Sequence, residues 1–434
     1  MREVLIKAIP FDDLKITELE GVQQVNEHGE LVFSGLMRGE KESEYISWAL
    51  KKNPLVSVNV CSDSGEEKIL FQGVLVDFEI QAQNDVRYLT GVLRTNTYLL
   101  DLIPHKRSFQ ADRLQYQNLL TTVNNGYTDS IFIMAKGAGS NIPGLVMQYD
   151  ETDWAFIKRM ASRFHTVVIP DSQRDHIAYT FGLPEDGVHY AVETNIFSIA
   201  KNAGQIIESE DQRMPRADTF FYVLNSREIY RLGDCVTLNG VPLRVYSIKT
   251  KMEGSELYHT YYLTSESGFE TEEVFNENLI GLSLDAQVTS VERDDGWYCM
   301  PEIGDAVRLY FPCEKDADAY VASSVHLQSS AGDERINPDF KSIMNKQKKE
   351  ILFTPGSLLL TNNAGMSIEL SDAEGIKIIS DKAIVVQSQE AVDISSATSS
   401  LSISAPQRII FQQGNTQMSL EEKLHFGGAQ VRID

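Results

Sequence analysis

The carboxyl-terminal eighty residues repeat one short pattern, and this pattern limits the folds open to the chain more than any other feature. In the stretch MSIELSDAEGIKIISDKAIVVQS (366–388), aliphatic residues stand in pairs two positions apart. Ile368, Ile376, Ile384 and Val392 follow one another at intervals of eight residues. Because residues i and i+2 of a strand share a face, each unit predicts a short strand with one apolar side, followed by a turn.

The pairs continue to the end of the sequence, and there are ten of them. Residues between the paired ones, such as Lys377, Val385 and Asp393, fall on the opposite side of each strand. The positions predicted on the apolar side are Leu358, Leu360, Ile368, Leu370, Ile376, Ile378, Ile384, Val386, Val392, Ile394, Leu401, Ile403, Ile409, Phe411, Met418, Leu420, Leu424, Phe426, Val431 and Ile433.

A single ribbon of this kind has no second layer to cover its apolar side, although stable domains consist of packed layers. Roughly twenty such residues contribute up to about 2 kcal/mol each when they are buried, and a solitary ribbon loses most of this. Three copies around one axis would cover all three faces and remove open strand edges. A one-chain solenoid is the alternative, but eight residues span only about 26 Å, which is short for enclosing a core. We therefore predict an intertwined trimeric β-helix, or β-prism.

The overall charge argues against two classes of partner. The chain has 39 Lys and Arg residues against 62 Asp and Glu residues, a formal net charge of −23, which would repel nucleic acid and anionic membranes. The first residues are too polar for a signal peptide, and no apolar run is long enough to span a membrane. We expect synthesis in the bacterial cytoplasm, and no structural disulfides among four widely spaced cysteines.

Before the repeat, short strand-like runs alternate with polar turns. Residues 1–110 include LVSVNV and KILFQGVLVDFEI, and residues 218–264 alternate similarly around the turn LNGVP, so we predict two barrel-like β domains. A helical insertion at about 112–165 separates them. The acidic stretch 265–280 lacks strand alternation, which suggests a boundary near residue 270.

The helical pattern is clearest in DETDWAFIKRMASRF, which Asp150 or Thr152 would cap. Trp154 and Phe156 are interpreted as core residues, and the carboxylates of Asp150, Glu151 and Asp153 as helix-start groups rather than an acid/base pair. The residues predicted to share one helix face are Trp154, Ile157, Ala161 and Phe164.

Residues 271–330 have the length and the short strands of a small closed barrel such as an OB-fold, and residues 331–354 form a polar linker to the repeat at 355–434. Trp297 and Tyr298 are better explained by this barrel than by base stacking. Cys299, Cys313 and His326 lack the spacing of a zinc site. No phosphate loop, GxSxG or HExxH motif is present, so we expect no enzyme activity, no cofactor and no metal.

Three stretches, in this order, resemble the spikes of contractile injection machines: VMQYDETDWAFIKRMASRF, GWYCMPEIGDAVRLYFP and KKEILFTPGSLLLTNNAGMSIELSDAEGIKIIS. The relatives are VgrG proteins, contractile phage tail hubs and spikes, and R-type tailocin proteins. The first stretch resembles their hub motif, the second the start of their OB-fold and the third the start of their β-helix. The hub-motif residues are Gln148, Tyr149, Asp150, Asp153, Trp154 and Phe156, and the OB turn is Pro301, Glu302, Ile303, Gly304 and Asp305.

The resemblance implies a mainly β homotrimer with a hub of two barrel-like domains (1–270), an OB-fold collar (271–330), the linker and a needle (355–434). The hub would join an inner tube and baseplate to a membrane-puncturing needle in a phage tail or tail-like particle. A small PAAR-like tip protein and a cargo are further expected partners, and any metal would belong to that tip protein. The expected target is a cell envelope. Two alternatives remain open: a tail-associated enzyme hub that degrades the cell wall, and a trimeric receptor-binding fibre.

Overall fold

The computed structural model describes most of the chain, and it is mainly β. The described residues are 5–37, 41–61, 67–84, 86–110, 113–185, 187–201, 220–288, 303–324, 337, 339–345, 347–420 and 422–427. The chain forms two compact units, Met1–His326 and Leu327–Asp434, each considered by itself below. Within the described ranges, no helix has both the length and the apolar character needed to cross a membrane.

The first unit begins with six antiparallel strands around one core. In space they follow the order β1-β4-β5-β6-β3-β2, and their inward residues alternate with exposed ones, as period-two patterning predicts. Their bounds are β1 Leu5–Ile9, β2 Leu14–Gln24, β3 Glu30–Met37, β4 Leu55–Cys61, β5 Glu67–Gln83 and β6 Val86–Thr95.

A short helix interrupts these strands, and the strand-like runs of residues 1–110 do not predict it. Helix α1, Glu42–Ala49, fully buries Tyr45, whose ring meets Phe11 edge-on at 5.0 Å. A 3₁₀ turn, Asn96–Asp101, follows β6. Because α1 buries little besides Tyr45, its sequence carries almost no helical periodicity.

The helical insertion has its own core. Strand β7 pairs with β9, and a small sheet has the order β10-β11-β8, packed around helices α2 and α3. Thr152 caps α3 by accepting a hydrogen bond from Ala155 N, whereas Asp150 lies in β9 with a positive φ of 46°. The bounds are β7 Pro104–Phe109, α2 Tyr116–Asn124, β8 Ile131–Met134, β9 Val146–Thr152, α3 Asp153–Ser162, β10 Val168–Pro170 and β11 Ala178–Phe181.

Six further strands complete a twelve-stranded sheet, because β16 pairs with β2. The β15–β16 hairpin turns at Asn239 and Gly240, both with positive φ (49° and 84°), as the predicted Asn-Gly turn requires. The bounds are β12 His189–Val192, β13 Ser198–Lys201, β14 Phe220–Ser226, β15 Cys235–Leu238, β16 Val241–Glu253 and β17 Glu256–Thr264.

The rest of the first unit packs against the insertion. A three-stranded sheet of β18 (Ser283–Gln287), β19 (Ala306–Tyr310) and β20 (Tyr320–Ser324) lies beside a core of Met147, Leu279 and Phe311. Short 3₁₀ turns lie at Glu266–Phe269, Glu277–Leu279 and Asp316–Asp318.

The second unit consists of two antiparallel meanders separated by a stretch without strands. Gly375, with φ of 81°, forms the tight turn between β24 and β25. The first meander is β21 Lys341–Met344, β22 Glu350–Thr354, β23 Ser357–Thr361, β24 Ser367–Ser371 and β25 Gly375–Ile379, and the second is β26 Ile409–Gln413, β27 Thr416–Leu420 and β28 Leu424–Gly427.

Candidate assembly surfaces

The strand register of the first meander places the predicted aliphatic pairs in two rows on one side of the sheet. We call these rows the apolar face. One row joins Cα partners Ile343, Ile351, Leu360, Ile368 and Ile378, and the other joins Phe353, Leu358, Leu370 and Ile376.

The apolar face is open to solvent in the single chain. Ile376 is 72% exposed, and most other members are also exposed. The opposite side is mixed: Glu369 is the Cα partner of both Leu359 and Lys377, and Ser367 and Ser371 flank it along β24. The continuous aliphatic rows are therefore confined to the apolar face, which requires a cover that no described residue of the second unit supplies.

The second meander repeats this arrangement. Ile409 is the Cα partner of Leu420, and Phe411 is that of Met418. Leu424 and Phe426 continue the two rows by Cα position. Val431 and Ile433 lie outside the described residues.

Residues 382–407, between the two meanders, join no sheet of the described chain; we call them the unpaired segment. The backbone is bent at 381–382, 389–390, 397–399 and 406–407, about once per eight-residue repeat. Extended backbone without ladder partners is a template for strands of another chain. Its predicted apolar positions, all between 50% and 75% exposed, are Ile384, Val386, Val392, Ile394, Leu401 and Ile403.

In the first unit, one hub-motif residue is a buried carboxylate with several polar partners. Asp153, at the start of α3, has a fully buried side chain that pairs with Arg107. It also accepts hydrogen bonds from Tyr127 (2.7 Å) and from Gln148 Nε2 (2.8 Å), and His105 Nε2 lies 3.4 Å away. Burial, together with the bond to Asp153, raises the pKa of the Tyr127 hydroxyl. These contacts fix the start of α3.

The two aromatic hub-motif residues on α3 are buried, as the helix pattern predicts. Trp154 donates from Nε1 to the carbonyl of Asn26 (3.1 Å), which ties α3 to the turn after β2. Phe156 stacks on Phe109 with ring centroids 5.6 Å apart. Both anchor the insertion.

A second buried charge cluster connects α3 to the segment after β19, and no local sequence pattern marks it. We call Glu151, Arg159, Arg163 and Asp316 the Asp316 joint. Arg159 pairs with both Glu151 (2.9 Å) and Asp316 (3.2 Å), and Arg163 also binds Asp316. Asp316 further accepts from Met147 N at 3.0 Å. Burial raises the pKa of Glu151, against the effect of Arg159.

The remaining hub-motif residues hold the segment before β18 by backbone atoms. Asn276 donates to the carbonyl of Tyr149 (2.9 Å), and Asn278 to that of Asp150 (3.2 Å). Lys106 lies over the Tyr149 ring and pairs with Asp150 at 3.3 Å.

The described part of the OB turn leads into a strand. Gly304 (φ 94°) donates to Val288 O at 2.8 Å, and Val288 N donates back to Asp305 O at 3.0 Å, directly before β19. Ile303 is exposed. Pro301 and Glu302 lie outside the described residues, as do Trp297, Tyr298, Cys299 and His326. Among the residues that are described, no cluster of three or more His, Cys, Asp or Glu is placed to hold a metal.

No protein-family model and no curated protein matches the sequence. Solved structures do share the fold. The E. coli c3393 protein, described as a component of the type VI secretion system with structural similarity to the T4 bacteriophage tail proteins gp27 and gp5, aligns with a TM-score of 0.54 at 12% identity. This alignment covers 74% of this chain and 99% of that one.

Two structures of PdpA–VgrG complexes align over 87% of this chain. The lidless complex has a TM-score of 0.52 at 8% identity and 98% coverage of its own chain. The half-lidded Francisella complex has a TM-score of 0.50 at 10% identity and 88% coverage. The resemblance predicted from the three sequence stretches is thus confirmed for the fold: the chain has a VgrG-like spike fold.

Proposed function

We propose that this chain is the central spike and hub of a contractile injection machine, a homotrimer that joins an inner tube and baseplate to a membrane-piercing needle. The apolar face, continued by the unpaired segment, is the observation that carries the proposal. The VgrG-like spike fold supports it, because relatives of this fold are described as secretion-system and tail components.

Burial supplies the energy for assembly. Each aliphatic residue of the apolar face gains up to about 2 kcal/mol when it leaves water. A single chain does not obtain this stabilisation, because these side chains are exposed in it. Other copies of the chain present the same face and the same eight-residue repeat, so they match it in length and register.

Three copies provide hydrogen-bond partners for more backbone N–H and C=O groups than two copies do. Two stacked ribbons would cover the apolar faces but would leave backbone groups of the unpaired segment without partners. Three copies around an axis let each extended stretch lie between strands of the other two, so that its N–H and C=O groups pair on both sides.

The parts then take separate mechanical roles. Residues 1–270 form the hub of two barrel-like domains, 271–330 an OB-fold collar, 331–354 a linker and 355–434 the needle. The Asp316 joint holds the collar to the hub, where axial force would pass between them. The partners are the inner tube, baseplate subunits, a small tip protein, a cargo and the target envelope; no nucleic acid, cofactor or catalysis is involved.

Electron microscopy of the purified full chain tests this function. We expect a wide head with a thin rod, and threefold symmetry in end-on views. Ten strands at a spacing of about 4.8 Å give a rod of roughly 50 Å. Particles without a rod, or with twofold symmetry, would overturn the proposal.

A further inference from the structure

His259 is a buried histidine that belongs to neither of the proposed assembly surfaces, the apolar face and the unpaired segment. It lies on the inward side of β17 with Leu257, Tyr261 and Leu263, and only 1% of it is exposed. Its Nδ1 is hydrogen-bonded to Thr250 Oγ1 at 2.9 Å, whereas its Nε2 is buried without a partner among the described residues. An unpaired buried polar atom has a cost that a protein seldom retains without a reason.

This imidazole lines a small cavity with room for about one water molecule, where three parts of the first unit meet. Gln23 comes from β2, Ser172 from the insertion, and Tyr230 and Arg231 from the loop after β14. We call this place the seam cavity. A change at His259 therefore acts on the contact between both halves of the twelve-stranded sheet.

The seam cavity offers no anion to a protonated imidazole. Among its described lining residues, Arg231 carries the only formal charge, and it is positive. Tyr230 also lines it, and Tyr261 lies 5.8 Å from the His259 ring; both are neutral phenols near neutral pH. His28 differs, because its Nε2 lies 3.3 Å from Asp101, whose carboxylate offers an anionic partner to a protonated imidazole.

We propose that the seam is acid-sensitive: protonation of His259 turns both ring nitrogens into donors in a cavity without an anionic acceptor, and this opens the contact between the two halves of the hub. In the neutral ring, one nitrogen keeps the hydrogen bond with Thr250. The other nitrogen is uncharged and therefore needs no anionic partner in the cavity.

The sign of the effect follows from burial, which lowers the pKa of His259 from 6.5 to about 4. Above pH 6.5 both closed and open forms hold a neutral ring, so opening costs the same at every pH. Between pH 6.5 and 4 only the open form takes up the proton, and opening becomes easier as pH falls. At pH 5 the open population should be about 30-fold larger than at pH 7.5.

Hydrogen exchange on the full-length protein at pH 7.5 and 5.0, corrected for intrinsic rates, tests the proposal. We expect protection in β16 and β17 to fall by about 30-fold at pH 5.0 relative to α2, which lies in a separate core. His259→Gln should remove this fall, and His189→Gln, at an exposed histidine, should keep it.

Equal protection of β16 and β17 at both pH values in the wild type would overturn the proposal, as would an unchanged fall in His259→Gln. If that variant does not fold, the wild-type His259 ring titrated by NMR decides: a pKa below 5 supports the seam switch, and a pKa of 6 or more refutes it.

Discussion

Aspartate substitutions at two neighbouring positions test which side of the unpaired segment is buried in the assembly. The first variant is Ile384→Asp, and the second carries the same change one residue later. In the proposed trimer, Ile384 faces the axis and Val385 faces water. Ile384→Asp removes a side chain whose burial contributes about 2–3 kcal/mol per chain, roughly 6–9 kcal/mol for three chains. It also brings three carboxylates into a dry core, each at a cost of several kcal/mol. The total equals or exceeds the whole stability of a typical domain.

Val385→Asp is the matched control, because Val385 is 80% exposed in the single chain and the repeat predicts it on the side opposite Ile384. We expect its effect to stay within about 0.5 kcal/mol. Trimer survival is read on an unboiled SDS gel and by thermal melting: Ile384→Asp should abolish the trimer and Val385→Asp should keep it. Equal behaviour of the two variants would refute the assignment of sides.

Three further substitutions probe the remaining contacts. Asp316→Ala should destabilise the first unit by about 3–5 kcal/mol in urea unfolding, because two arginines lose a buried partner. Asp318→Ala should be nearly neutral, and equal unfolding midpoints for the two variants would contradict the stabilising role of the Asp316 joint. Trp154→Phe should cost about 1 kcal/mol in the same assay through the lost indole hydrogen bond, and an unchanged midpoint would exclude that role. Gly375→Ala should cost about 1–2 kcal/mol per chain, because φ is 81° with open space around the Cβ, whereas Gly356→Ala should be neutral in needle melting.

Local sequence patterns predicted those elements whose structure depends on residues close together in the chain. Period-two strand geometry places Ile368 with Leu370, and Ile376 with Ile378, on one side of β24 and β25, where the two pairs meet across the ladder. Asn239-Gly240 specifies its own turn. The spacing of Trp154 and Ile157 predicted α3, because residues three apart share one face of a helix.

Other features depend on partners distant in sequence. Asp316 meets Arg159 across 157 positions, and no local pattern marks such a pair. The alternation of β17 predicts an inward residue at His259 but not the cavity beside it. The proposed strand partners of the unpaired segment belong to other copies of the chain, so the spacing predicts a side for each residue but not the residues that pair with it.

The mass of the full-length protein under native conditions tests the central claim most directly, because the apolar face and the unpaired segment both require other copies. Sedimentation equilibrium should give three times the chain mass of 48.7 kDa, about 146 kDa, at all concentrations where the needle is folded. A stable mass of one or two chains, with the carboxyl-terminal unit folded, would contradict the account.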